Sequence, residues 1–430
     1  MLKKKKSYLV PFIGFTIIMI IGAILLALPI SNNKSIEFKD ALFVSISAVS
    51  CTGLSTVVTA EQFNFIGQLI IAVLMEIGAL GFVVFISYVW AKLNRKMKMS
   101  DIIMVNDNIS GDDYSTIKEQ SLFIFDIMVK VQLLGIILLS IKFIPEFGTM
   151  QGIWYSIFHT ISAFANAGFD IIGNQSMMVY SKDLYIQIVL IILMILGSIG
   201  VFAIEDLKKN KFKNFKKMKL QTKIILVYTV ILLTIPTILL LIFEENISIT
   251  NSLFMTSAAR STGLSVVNIS ELTNTSKLLL TILMFVGGSP ASTAGGVRVV
   301  AIAILIATMI STLRGRIHTV IFWKKIPDSI VRKSFTVFMM FLIIVLIGIM
   351  SYSYCNKTAE IVDISLECVS ALTNTGFAAV DPTTATLVTD IIIMILMYIG
   401  RIGPIAMVTI FVNDEPVDKL VDYPSENVIL

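Results

Sequence analysis

One pattern constrains this chain more than any other: four short segments that end alike and are spread along its length. They are Ser47-Ala48-Val49-Ser50-Cys51-Thr52-Gly53-Leu54, Ser162-Ala163-Phe164-Ala165-Asn166-Ala167-Gly168-Phe169, Ser257-Ala258-Ala259-Arg260-Ser261-Thr262-Gly263-Leu264 and Ser370-Ala371-Leu372-Thr373-Asn374-Thr375-Gly376-Phe377. Each follows an apolar stretch too short to cross a bilayer and lies between two longer ones that could. A fourfold repeat of span, half-span ending in Ser-Ala…Gly, and span is the layout of a pore built by one polypeptide.

Composition agrees with that layout. The chain is 56% hydrophobic and 15% charged, with a mean hydropathy of +0.87, which excludes an ordinary water-soluble domain. Long apolar runs cover 8–30, 66–91, 121–144, 183–204, 220–243, 277–313, 334–354 and 386–412. Each reaches the length of about 20 residues that a helix needs to cross a hydrocarbon core of about 30 Å. The first is read as a retained helix, because it is long for a signal peptide and lacks a small-residue cleavage site.

Charge sets the orientation. Lys3–Lys6, then Lys92, Arg95, Lys96 and Lys98, then Lys208 through Lys223, then Arg314, Arg316, Lys324, Lys325, Arg332 and Lys333 occupy alternate connections. Basic connections stay in the cytoplasm, so both termini are placed inside a cell membrane and the four repeated segments face outside. The net charge of +5 is thus topogenic, with anionic membrane lipid as its contact and no nucleic acid.

The chain divides into repeats at 1–92, 93–205 (with a cytoplasmic linker), 206–313 and 314–430 (with a cytoplasmic tail). In each, a half-helix enters from outside and returns as extended chain. The half-helices are placed at 38–50, 152–165, 248–260 and 360–373. No stretch between spans is long enough to bury a core of its own. No phosphate-binding glycine loop occurs, so nucleotide control would have to come from another polypeptide. His159 and His318 are the two histidines, and Cys51, Cys355 and Cys368 the three cysteines; neither set has metal-ligand or disulfide spacing. Neither a cofactor nor an enzymatic activity is expected.

The repeated residues suit a cation. A permeating ion must exchange its water shell for fixed oxygens, which backbone carbonyls supply densely. Aiming successive carbonyls at one axis takes backbone angles that glycine adopts without a clash. The candidate filter is therefore Cys51-Thr52-Gly53, Asn166-Ala167-Gly168, Ser261-Thr262-Gly263 and Asn374-Thr375-Gly376. The plainer alternative, small residues packing between helices, would suit one copy better than four.

Two other features stand inside apolar runs. The sixth run contains Gly287-Gly288-Ser289-Pro290-Ala291-Ser292-Thr293-Ala294-Gly295-Gly296, which cannot be regular helix interior, since glycine costs about 1 kcal/mol and proline about 3 relative to alanine. This is read as a loop that obstructs the path until moved, with a static kink as the alternative. Arg401 lies in the eighth run, where an ionisable residue is a functional candidate; it is placed below the filter, to set a barrier, limit occupancy or anchor the loop's carbonyls, with a structural ion pair or helix tie as the alternative. Arg260 is read as bracing the third segment from behind, Arg298 as capping the broken helix or meeting the lower vestibule, Lys130 as an i, i+4 partner of Asp126, and Glu76 as unpaired.

These residues together resemble the Trk/Ktr/HKT superfamily of potassium transporters, most closely the membrane subunits of the bacterial KtrB type. The resemblance spans essentially the whole chain and rests on the four glycine segments, the 287–296 interruption and the run Gly400-Arg401-Ile402-Gly403-Pro404. It implies an all-α polytopic fold of four pseudo-symmetric units around one potassium path, with Gly53, Gly168, Gly263 and Gly376 in the filter, 287–296 as gating loop and Arg401 beneath. It also implies a homodimer working with a cytoplasmic nucleotide-binding ring of the RCK (KtrA) type, and leaves open whether sodium stimulates or accompanies transport. Three positions depart from the family pattern: Glu76-Ile77-Gly78-Ala79 stands where Gln-x-Gly-Gly is common, Ala294 replaces a glycine, and Ala165 and Ala167 remove a hydroxyl. The rival architecture is an alternating-access carrier, which would bring two repeats with paired interrupted helices, whereas this sequence shows four repeats and one strong interruption.

Overall fold

A computed structural model of the chain describes residues 2–81, 114–173, 176–210, 215–290, 292–380 and 385–403. The first unit consists of α1 (Leu2–Ala27), α2 (Phe38–Ser50) and α3 (Phe65–Leu80). The second has α4 (Tyr114–Phe147), α5 (Thr149–Ala165), α6 (Leu184–Ile199) and α7 (Val201–Lys209). The third has α8 (Leu220–Phe243), α9 (Ile249–Ala259), α10 (Asn274–Val286) and α11 (Val299–Leu313). The fourth has α12 (Asp328–Cys355), α13 (Ile361–Thr373) and α14 (Leu387–Ile402). A two-residue hairpin, β1 (Val320–Ile321) with β2 (Lys324–Lys325), joins α11 to α12.

The half-helices α2, α5, α9 and α13 form the core, because their C-terminal turns are made of small and apolar residues. Ala48, Val49, Ala163, Ala165, Ala258, Ala259, Ala371 and Leu372 are all buried. The long outer helices reverse the usual rule. Val230 and Ile238 of α8, and Ile343, Leu346 and Ile347 of α12, point outward and are exposed, as lipid-facing side chains must be. Three stretches, Leu122–Phe147, Leu220–Phe243 and Asp328–Cys355, are long and apolar enough to span a membrane unbroken.

The units close on one another. Each half-helix packs against the inner helix of the unit before it: α5 against α3, α9 against α6, α13 against α10, and α2 against α14. The last pairing joins the end of the chain to its beginning. The result is a ring of four.

The inner helices differ from expectation. The 183–204 run has the sequence of one continuous span, yet α6 and α7 meet at Gly200 with a bend of 93°. Gly200 takes φ +85°, and the equivalent helices end the same way at Gly81 (φ +72°), Gly287 (φ +64°) and Gly403 (φ +91°). The interruption at 287–296 is therefore longer than the single-glycine break at Gly200. A single glycine leaves the hydropathy of Ile199-Gly200-Val201 almost unchanged, so apolarity alone does not show the break. The continuations of 66–91 beyond Gly81 and of 386–412 beyond Gly403 lie outside the described residues.

Candidate functional site

The four repeated segments meet at the centre of the ring. An added Cβ on Gly53 would come within 2.6 Å of the Ala167 carbonyl oxygen, on Gly168 within 2.2 Å of that of Thr262, on Gly263 within 2.1 Å of that of Thr375, and on Gly376 within 2.1 Å of that of Thr52. Each glycine thus lies against the carbonyl of the residue preceding the glycine in the next unit, and the fourth contact returns to the first unit. All four glycines have φ between +72° and +109°, a region that other residues rarely enter. Glycine is required here twice over, by backbone angle and by space.

Local hydrogen bonds hold this arrangement. Three half-helices end in a left-handed residue, Cys51 (φ +56°), Asn166 (φ +53°) and Asn374 (φ +53°), which turns the chain out of the helix. The opening serine of the motif then works as a local tie. Ser47 Oγ accepts from Gly53 N–H at 3.0 Å and Ser370 Oγ from Gly376 N–H at 2.8 Å, while Ser162 Oγ donates to the Phe169 carbonyl at 2.6 Å. Buried N–H groups that would otherwise stand unpaired are satisfied in this way.

The threonine hydroxyls are spent on the protein. Thr52 Oγ1 lies 2.6 Å from Ser50 Oγ and Thr375 Oγ1 2.9 Å from Thr373 Oγ1. Thr262 Oγ1 donates to Asn166 Oδ1, and Asn374 Nδ2 donates to Thr52 Oγ1 at 3.1 Å. The carbonyls of Thr52, Ala167, Thr262 and Thr375 are left as the oxygens of the ring. The bracing asparagines recur at one position in alternate units, a signal present in the sequence but not used for this role.

Above the ring lies a cavity of about 500 Å³ that Gly53, Gly168 and Gly376 line together with Asp40, Asp170, Glu367, Asp390 and Lys39. Carboxylates outnumber the single ammonium on this wall, an arrangement that raises the local concentration of cations.

Below the ring runs the 287–296 loop, of which Ala291 lies outside the described residues. Its ends touch: a Cβ on Gly287 would meet the Gly295 oxygen at 2.2 Å and Gly296 Cα at 2.8 Å. Gly288 N–H donates to the Gly295 carbonyl at 3.2 Å and Val299 N–H to that of Gly288 at 2.9 Å. Ser289 and Thr293 fasten the loop to the α6–α7 bend, with Ser289 N–H on the Ser198 carbonyl at 3.1 Å and Thr293 N–H on the Gly197 carbonyl at 3.3 Å. Ser292 Oγ closes a turn onto the Ser289 carbonyl at 2.6 Å, beside Pro290. Ala294 faces Gly288, where any added Cβ would meet its methyl at 2.3 Å.

Two arginines clamp this loop. Arg298, at φ +78° before the first turn of α11, donates from Nη1 to the carbonyls of Ser289 (3.0 Å) and Ala294 (2.7 Å). Arg401 donates from Nη1 to the Thr293 carbonyl at 3.3 Å and from Nη2 to that of Gly78. Gly78 is in the last turn of α3, where the helix dipole favours a cation. Of the roles read for Arg401, the loop anchor and the helix tie both have contacts; Arg298 stands at the N-cap of α11 without a side-chain cap bond, and its guanidinium goes to the loop.

The remaining charges resolve individually. Lys130 pairs with Asp126 at 2.7 Å, both largely exposed. Glu76, read as unpaired, accepts from Gln132 Nε2 of α4 at 2.6 Å, a partner 56 residues away that no local pattern reveals. Arg260 is 2% exposed and lies behind the third segment, where Nη2 reaches Thr229 Oγ1 at 3.4 Å; Nε and Nη1 have no hydrogen-bond partner among the described residues.

Comparison with known proteins places this geometry. Residues 11–423 match the family model for TrkH, a cation transport protein. The potassium/sodium uptake protein NtpJ of Enterococcus hirae is 33% identical, over 97% of this chain and 95% of the relative. The Ktr system potassium uptake protein B of Bacillus subtilis is 32% identical over 94% of this chain and 92% of its own length. The crystal structure of the potassium transporter TrkH from Vibrio parahaemolyticus superposes with a TM-score of 0.74 over 95% of this chain and 85% of that one, at 17% identity, so the fold is shared.

Proposed function

The chain belongs to the TrkH family of cation transport proteins, a multi-pass membrane protein, and on that premise we propose that it conducts potassium into the cell through the axis of the four-unit ring. The observation that carries this reading is the closed cycle of glycine-to-carbonyl contacts from Gly53 through Gly168 and Gly263 to Gly376. Four backbone oxygens held at one level can replace the shell of an ion that sheds water readily, and a wall of carboxylates above them feeds cations to the mouth. Potassium is the ion in the names of the Enterococcus and Bacillus relatives. The Enterococcus name includes sodium as well, so sodium is the competitor to measure.

The filter in this reading is residues 51–53, 166–168, 261–263 and 374–376, and the loop 287–296 with Arg401 is the gate. Both termini are cytoplasmic, in keeping with the basic alternate connections. The working form is a homodimer on a cytoplasmic RCK-type nucleotide-binding ring, which would supply the force that moves a loop clamped by two arginines.

The test is rubidium uptake into liposomes holding the purified chain beside a Gly376→Ser variant. The added side chain must displace the Thr52 carbonyl, so uptake should fall at least tenfold, or pass sodium as readily as potassium. Equal uptake and equal ion ratios in a folded variant would remove the ring from the path.

A further inference from the structure

We propose that Asn166 is a positioning residue that ties the ion-selecting ring to the loop below it, so that discrimination of potassium from sodium depends on where the loop stands. This rests on the reading of the ring as the ion path and of 287–296 as its gate.

The connection is made by one buried amide. Asn166 is 1% exposed and ends α5 in the left-handed conformation, with its side chain turned under the ring. Its Oδ1 accepts from Thr262 Oγ1, and the Thr262 carbonyl is the oxygen against which Gly168 packs. Its Nδ2 donates to Thr293 Oγ1 of the loop at 2.6 Å. Among the described residues, the other acceptor bonded by that nitrogen is the Phe164 carbonyl at 3.5 Å, the limit of a hydrogen bond. The same carboxamide therefore braces the ring with its oxygen and holds the gate with its nitrogen. A second tie runs beside it, from Gly295 N–H to Ser261 Oγ at 2.9 Å.

The fourth unit provides the internal comparison. Asn374 has the same backbone conformation and also braces a threonine of the next unit, Thr52. There both bonds come from Nδ2, which reaches Thr52 Oγ1 at 3.1 Å and the Met397 carbonyl of its own inner helix at 2.9 Å; among the described residues it makes no bond to the loop. One asparagine thus anchors the ring to a fixed helix and the other to a movable segment. When the loop withdraws, Asn166 loses its strong acceptor in a buried site, where an unpaired donor is costly. It must reorient, and the brace on Thr262 goes with it. The Asn374 brace stays.

The experiment uses the full chain in liposomes, with potassium and sodium influx measured in parallel. Thr293→Val keeps the shape of the side chain and removes its oxygen. The Thr293 hydroxyl also lies 3.1 Å from the Phe164 and Gly197 carbonyls, so potassium flux should rise and the potassium-to-sodium ratio should fall together, each by at least on the order of fivefold, as expected for the loss of more than one buried hydrogen bond. Thr293→Ser returns the oxygen and should restore the ratio. Ser261→Ala cuts the second tie and should move both readings in the same direction, which keeps the proposal open to test if Thr293→Val does not fold. Asn374→Ala should lower the ratio without raising flux. A Thr293→Val or Ser261→Ala protein with raised flux and an unchanged ratio would overturn the coupling, as would one with neither altered. Gly376→Ser separates the two readings: if it changes the ratio while the loop variants do not, the ion path stands and the coupling fails, whereas if it changes nothing, the path itself is wrong.

Discussion

The third unit and the other three solve the same problem differently. Units one, two and four end their half-helices in a left-handed residue. The third keeps Arg260 in right-handed conformation (φ −74°, ψ −6°) and makes the turn one residue later, at Ser261, with φ +153°. Its Gly263 N–H is held by the Ala258 carbonyl at 3.1 Å rather than by the motif serine, which turns back to Leu253 at 2.7 Å. The unit whose inner helix opens into the long loop is thus also the unit with a different support for its glycine turn, and its Ser261 Oγ accepts from Gly295 N–H of that loop at 2.9 Å.

A second difference lies one turn before each break. Gly78, Gly197 and Gly400 stand three residues ahead of Gly81, Gly200 and Gly403, and a Cβ on them would fall 2.3, 2.1 and 2.0 Å from the carbonyls of Val49, Phe164 and Leu372. The third unit has buried Met284 at that position, and Ala259 at the register of Val49, Phe164 and Leu372. The largest effect is therefore expected from Gly197→Ala, where backbone must move: folded yield by size-exclusion chromatography should collapse. Met284→Ala should fold and cost about 2–5 kcal/mol, the range for emptying a buried site of this size. A Gly197→Ala protein as stable as the natural chain would mean that the units are less tightly packed than their carbonyl contacts imply.

These contrasts also explain what was legible in the sequence. The half-helices were placed at 38–50, 152–165, 248–260 and 360–373 and occur at Phe38–Ser50, Thr149–Ala165, Ile249–Ala259 and Ile361–Thr373. They were readable because each is bounded by polar residues and closed by a glycine-bearing turn. The break at Gly200 was not, because hydropathy averages over one residue while a helix is interrupted by one. Its signal was the register of Gly78/Gly81, Gly197/Gly200 and Gly400/Gly403 against each other. The ties from Asn166 to Thr293 and from Glu76 to Gln132 cross 127 and 56 residues. No local pattern encodes such pairings; they follow from the ring closing.

The loop of the third unit is held in part by the fourth, and that dependence can be broken next. Arg401 reaches from α14 to the Thr293 carbonyl and to the end of α3, so it fastens the 287–296 loop to two units at once. Hydrogen bonds from a charged donor contribute about 1.5–3 kcal/mol each. Arg401→Ala should raise potassium flux about tenfold or more in liposomes without any cytoplasmic partner, by weakening the closed arrangement. Flux at the natural level would confine Arg401 to joining α14 to α3.

The smallest effect is expected where the third unit looks most costly. Arg260 occupies the position of Ser50, Ala165 and Thr373, and among the described residues its buried guanidinium has one long contact, to Thr229. A buried charge without a counter-ion is expensive, and exchanging buried ionic groups for apolar ones of similar volume is often neutral or stabilising by about 1–4 kcal/mol. If Arg260 serves only to fill the space behind Ser261, Arg260→Met should match or exceed the natural chain in thermal unfolding midpoint, and the ion ratio should be unchanged. A retained midpoint with an altered ratio would instead show that the positive charge is felt at the ring, setting the third unit apart in electrostatics as well as in backbone. A large loss of stability would mean that the guanidinium has a partner in the membrane-embedded protein, and that the third unit is as fully satisfied as the others.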